Sequence, residues 1–134
     1  MKQVGEMRLK GKIIGFEELG DYIFDAPFGE ESPFRVLQCI DQPVSFIVVN
    51  PYFILDDYNF DIDDQVAEEL IGRSGEPDVE ETIAVLCIVR PDNKTLYVNL
   101  RSPIIVNTTK GRFIQVVLQN EGYGVSVPFA IKEK

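Results

Sequence analysis

The chain predicts an all-β fold, a small antiparallel β-barrel-like domain with one short α-helix. Short apolar runs recur with turn residues between them, and a single segment has helical spacing. The length of 134 residues, with 45% hydrophobic and 26% charged, is that of one soluble globular domain spanning 1–134.

Apolar runs and their breaks place strands at Tyr22–Ala26, Phe34–Cys39, Ser45–Asn50 and Tyr52–Ile62. A second set follows at Thr82–Arg90, Thr95–Leu100, Pro103–Val106, Phe113–Gln119 and Gly124–Phe129. Pro91-Asp92-Asn93-Lys94, Lys110-Gly111 and Asn120-Glu121-Gly122 supply the residues that reverse a chain. The helix is expected at Asp64–Ile71, with Asp61 or Asp63 as its cap, Val66, Ala67, Leu70 and Ile71 as its apolar stripe, and Gly72 closing it. Two turns cannot stand alone, so the helix must lie on the sheet. Gly72 to Pro77 reads as a surface loop.

A formal charge of −9 argues against non-specific nucleic-acid binding and disfavours anionic membranes, because both need clustered Lys and Arg. Lys94, Arg101, Lys110 and Arg112 are scattered rather than interleaved with aromatics. No stretch approaches 18 apolar residues, and Met1 to Glu6 has no apolar run for a signal peptide, so the expected location is the cytoplasm. Cys39 and Cys87 sit in apolar strand patterns and are expected as free, buried thiols. Histidine is absent, which removes the commonest general base, metal ligand and nucleophile partner.

Eleven of the 22 acidic residues fall between Asp56 and Glu81, against one basic residue, Arg73. Such a segment is suited to a positively charged partner, although a charge run is by default only a solvated face. Tyr58, Phe60 and Ile62 alternate with polar residues, so one side can pack on a core while the carboxylates stay in water. The residues expected to meet the partner are Asp56, Asp57, Asp61, Asp63, Asp64 and Glu68.

Asp57, Asn59, Asp61, Asp63 and Glu68 also fall on positions 1, 3, 5, 7 and 12 of a calcium-loop template. Ile62 stands where that loop needs glycine, and no helix precedes it, so neither a metal nor another cofactor is expected. Carboxylate pairs can run acid–base chemistry when one is isolated in an apolar pocket, but these acids lie in dense runs and no enzyme is expected. Gly11, Gly15 and Gly20 are too scattered for a phosphate loop. The alternative to a protein-binding role is a small-ligand or calcium-binding β-barrel.

Tyr22, Phe24, Phe34, Phe46, Tyr52, Phe53 and Phe113 read as core packing rather than a ligand cage. Gln38, Asn99, Asn107 and Gln115 lie among apolar neighbours; buried, each needs hydrogen-bond partners and would fix register at barrel corners.

Beyond these patterns, the chain resembles the FliW family of flagellar assembly factors. The resemblance rests on Gly15-Phe16-Glu17-Glu18, on Leu37 to Phe46 (LQCIDQPVSF), on Asn50-Pro51 and Asp57-Tyr58, on Val98 to Asn107 (VNLRSPIIVN), and on Gly111 to Leu118 (GRFIQVVL). Cys39 and Ser102 depart from the family's usual serine and alanine, and the region before Gly15 is short, which predicts an abbreviated or altered first strand. The resemblance implies a small β-barrel-like fold and no catalysis. Its implied partners are the RNA-binding translational regulator CsrA, bound at a site neighbouring its RNA site so that repression of flagellin synthesis is relieved, and flagellin as a competitor. That fits the charge, since an RNA-binding protein is basic and would be steered to an acidic surface.

Overall fold

Leu9 alternates with Arg8 and Lys10, and this pattern starts the barrel by turning an apolar side chain inward from the first strand. The computed structural model describes residues 7–71, 82–119 and 122–130. Among the described residues the strands are β1 (Met7–Lys12), β2 (Asp21–Asp25), β3 (Phe34–Cys39), β4 (Ser45–Val49) and β5 (Ile83–Asp92). They continue with β6 (Thr95–Val98), β7 (Ile104–Asn107), β8 (Arg112–Gln115) and β9 (Val127–Phe129). One helix, α1 (Asp64–Ile71), lies between β4 and β5 with the bounds expected from its periodicity.

The sheet runs β4-β3-β2-β1-β8-β7-β5 and closes by β5 pairing with β4, so seven strands complete a barrel without a free edge. Val89 of β5 pairs with Ile47 of β4 and also with Val98 of β6, which puts those two strands on opposite sides of β5. Strands β6 and β7 follow one another along β5, separated by Asn99 to Pro103, and β9 pairs with β6 outside the ring. All pairs are antiparallel except β1 with β8, which run parallel and form the closing seam. At that seam Gly11 faces Phe113 in register, and a Cβ on Gly11 would sit 2.4 Å from the Phe113 carbonyl oxygen.

The barrel interior is filled by Leu9, Ile13, Tyr22, Leu37, Ile104 and Phe113, each fully buried aliphatic chain contributing roughly 1.5–3 kcal/mol. Helix α1 places Leu70 and Ile71 on Ile105, with Val66 and Ala67 beside them, which is the expected stripe on the barrel wall. Its first intrahelical bond runs from the Ala67 N–H to the Asp63 carbonyl, so Asp63 is the cap residue by its backbone. At the other end, Asn107 is buried and donates from Nδ2 to the Leu70 carbonyl at 3.1 Å, while its Oδ1 accepts from the Lys110 N–H at 3.0 Å. Lys110 Nζ and an Arg112 guanidinium nitrogen donate to the Ile71 and Glu69 carbonyls, satisfying helix-end acceptors and opposing the negative end of the dipole.

Several expectations change. The segment Tyr52–Ile62 is not a strand: Pro51–Phe53 is a turn of 3₁₀ helix, and residues 54–63 continue as irregular chain. Asn50 caps that turn by accepting from the Tyr52 N–H, and Pro51 lacks the donor a ladder would need. Tyr52 and Phe53 are therefore exposed rather than core. The first described strand, β1, has six residues and is paired with β2 over Met7–Lys10 and with β8 over Lys10–Lys12. Regular pairing in β8 stops at Gln115, and β9 is three residues long. The β5–β6 reversal is tighter than expected, with Asn93 in the left-handed region (φ 58°) and Asp92 opposite Thr95. Gly72 to Pro77, the Asn120-Glu121 part of the last turn, and the acids Glu76, Asp78, Glu80 and Glu81 lie outside the described residues.

Candidate functional site

The acidic segment is fixed to the barrel by aromatic side chains. Tyr58 is buried, its hydroxyl donates to the Leu100 carbonyl at 2.5 Å, and the Cys87 thiol donates to the Tyr58 hydroxyl oxygen at 3.8 Å. Tyr123 packs edge-on against Tyr58 with ring centroids 4.7 Å apart. Its hydroxyl accepts from the Asn59 N–H at 3.0 Å and lies 3.3 Å from the Asn59 carbonyl. Phe60 completes the attachment by reaching the cluster beneath α1. Burial raises the Tyr58 phenol strongly, and it pushes the Cys87 thiol up to about 12, so both are neutral at physiological pH.

With the aromatic side held in this way, the carboxylates go to water. Asp56, Asp57, Asp61, Asp63, Asp64 and Glu68 are all exposed, and residues 56–71 contain no Lys or Arg. Tyr58 packs inward as its alternation predicts and Phe60 is half-buried, but Ile62 is 40% exposed. The six acids do not converge on one point. Asp56 and Asp57 follow the 3₁₀ turn, Asp64 and Glu68 ride on α1, and Asp61 and Asp63 line an open groove of about 330 Å³. Among the described residues no three Asp, Glu or Cys side chains are grouped as metal ligands; Glu68, the last position of the calcium template, belongs to the helix.

The far wall of that groove is Val116 to Gln119, which the sequence placed in a strand without marking it as functional. Val116 and Leu118 donate their N–H groups to the Pro103 and Arg101 carbonyls, continuing the β7 side of the ladder after β8 ends. Alternation turns the backbone of Val117 the other way, toward the groove. On that side β1 has already left: Ile13 and Gly15 turn the chain, and the Gln115 side chain accepts the Ile14 N–H at 2.8 Å where a further strand residue would have paired. Gln115 also donates to the Ser102 carbonyl at 3.0 Å, and Asn99 Oδ1 accepts from the Arg101 and Ser102 N–H groups. Three of the four embedded polar residues, Asn99, Asn107 and Gln115, thus hold barrel corners. Gln38 is exposed and closes the β3–β4 turn by donating to the Cys39 and Val44 carbonyls.

Fold and site together define a small closed β-barrel that carries an acidic strip attached through Tyr58, Phe60 and Tyr123. The chain belongs to the FliW protein family, whose model matches residues 1–129. It is 35% identical over 118 residues to the flagellar assembly factor FliW of Caldanaerobacter subterraneus subsp. tengcongensis, covering 87% of this chain and 76% of that one. The flagellar assembly factor FliW of Shouchella clausii is 33% identical over 131 residues, covering 95% and 85%. A crystal structure described as the flagellar assembly factor FliW superposes with a TM-score of 0.76 at 26% identity, covering all of this chain and 91% of the other. No helix among the described residues is long and apolar enough to cross a membrane.

Proposed function

We propose that the protein is a non-catalytic cytoplasmic regulator that binds the basic, RNA-binding translational regulator CsrA, with flagellin as the competing partner. Family membership supports a role in flagellar assembly, and one observation supports the mode of binding. Asp56, Asp57, Asp61, Asp63, Asp64 and Glu68 are exposed on a segment that Tyr58 and Tyr123 pin to the barrel, with no basic residue within 56–71. Carboxylates on a fixed backbone lose little entropy on docking and create a negative field that draws in a basic partner while repelling RNA phosphates beside it. The reading requires no bound ion or cofactor.

Titration calorimetry of the full chain with purified CsrA, repeated with flagellin competing, tests it. Saturable binding that flagellin displaces is the expected result. Absence of binding to CsrA would refute the proposal.

A further inference from the structure

We infer that the groove between Asp61–Asp63 and Val116–Gln119 is a strand-addition site that takes an extended, basic peptide segment of a partner protein. The inference rests on the acidic-surface reading above and specifies how that surface is engaged.

Val117 presents an N–H to the groove that has no hydrogen-bond partner among the described residues. Among the described residues its carbonyl is met only by the Gln119 amide, at 3.5 Å, a contact weak enough for an incoming N–H to displace. The opening is on the β1 side of β8, where the Gln115 side chain ends the pairing two residues before Val117. The barrel is thus closed everywhere in its ring, yet leaves a short open edge just beyond the seam.

Ile62, Val66 and Val117 line the groove with apolar surface, and Val117 is 43% exposed. Asp61 and Asp63 stand opposite the open edge, and among the described residues no Lys or Arg lines the groove. An extended chain laid beside Val117 would exchange backbone hydrogen bonds with it and project alternate side chains to opposite faces. One set meets Ile62, Val66 and Val117, while the other carries Lys or Arg to the two carboxylates. Charge complementarity selects such a peptide over a neutral or acidic one. A helix would satisfy its own backbone and leave the Val117 edge unused.

The test uses a nine-residue peptide of alternating lysine and valine, and the same peptide N-methylated at alternate amides, titrated into the isotope-labelled full chain. Strand addition predicts slowed exchange of the Val117 amide proton and at least tenfold weaker binding of the methylated peptide, which keeps the charge but loses the donors. Val117→Pro, which removes the unpaired N–H, should weaken the unmodified peptide by a similar factor; Val117→Ala, which keeps the N–H and trims the side chain, should retain most of the affinity. Equal binding of both peptides, or an unprotected Val117 amide at saturation, would overturn the inference. Binding of CsrA to the folded Val117→Pro protein separates the two readings. Unchanged affinity that still depends on Asp61 and Asp63 would sink strand addition while leaving the regulator role standing, whereas a tenfold loss supports both.

Discussion

The hydroxyl of Tyr58 donates to the carbonyl of Leu100, and this bond joins the acidic segment to the loop that separates β6 from β7. It is a buried bond from a tyrosine surrounded by Tyr52, Phe60 and Tyr123, so the segment carrying Asp56 to Asp64 is attached by a group that water cannot replace.

Removing that hydroxyl should loosen the segment. Tyr58→Phe leaves the Leu100 carbonyl without this donor and should cost about 1–3 kcal/mol in urea unfolding. Tyr22 offers the opposite case, since its buried hydroxyl has no hydrogen-bond partner among the described residues. Tyr22→Phe should therefore be neutral or stabilising, and a loss above about 1 kcal/mol would show that the hydroxyl has a partner.

The parallel seam depends on Gly11. A methyl group there would meet the Phe113 backbone oxygen and ring at 2.4–2.7 Å, and backbone in a closed barrel cannot move aside cheaply. Gly11→Ala is expected to destabilise by roughly 1–3 kcal/mol or more and to speed hydrogen exchange along β1. Unchanged stability would mean that the seam is looser than the register of Gly11 on Phe113 implies.

Asn107 ties α1 to the barrel through Leu70 and shapes the turn into β8 through Lys110. Asn107→Ala strips a donor from one buried acceptor and an acceptor from one N–H, a loss of about 2–4 kcal/mol if each costs 1–2. Asn107→Asp keeps the acceptor for the Lys110 N–H but sets a buried carboxylate against the Leu70 carbonyl, so it should recover no stability, and exchange rates at Lys110 and in α1 would separate the two bonds.

Alkaline pH should weaken the fold through Cys87. Its thiol stays protonated in the native state up to about 12, whereas an exposed thiol loses its proton near 9.0, so the unfolded chain binds fewer protons between those values. Stability is full below pH 9 and falls as pH rises toward 12, by roughly 2–3 kcal/mol at pH 11. Cys87→Ala should flatten that slope, although Tyr58, also raised by burial, retains part of it. Cys39 and Cys87 are both buried and free, so a thiol reagent should reach them only after unfolding.

Much of the barrel was legible because its signals are local. The short apolar runs at Phe34 to Cys39 and Ile83 to Arg90 and the 3.6-residue stripe at Val66 to Ile71 each specify an element from a few neighbours. Tyr52 to Ile62 misled because alternation there attaches a segment to the barrel by Tyr58 and Phe60 without a partner strand, and Asn50-Pro51 was the local sign against a ladder. Met7 to Lys12 alternates as plainly as any strand, but its role in closure depends on Phe113, more than a hundred residues away. The acids were visible as a cluster. The open edge at Val117 was not, since it exists only because β1 turns away at Ile13 and Gln115 reaches back to Ile14.

The measurement that bears most directly on the central claim is the affinity of CsrA for the Asp61→Lys, Asp63→Lys double variant, taken across a salt series. Both carboxylates are exposed, so unfolding should change by no more than about 1 kcal/mol, the cost of lysine at the Asp63 cap position. If the acidic strip guides and holds the partner, binding to the wild-type chain slows as added salt shortens the field below about 8 Å, and the double variant loses at least about 2 kcal/mol. Equal affinity of the folded variant and the wild-type chain would contradict the account, moving the interface to the barrel rim near Ser102 to Asn107 and leaving the acidic strip as a solvated face.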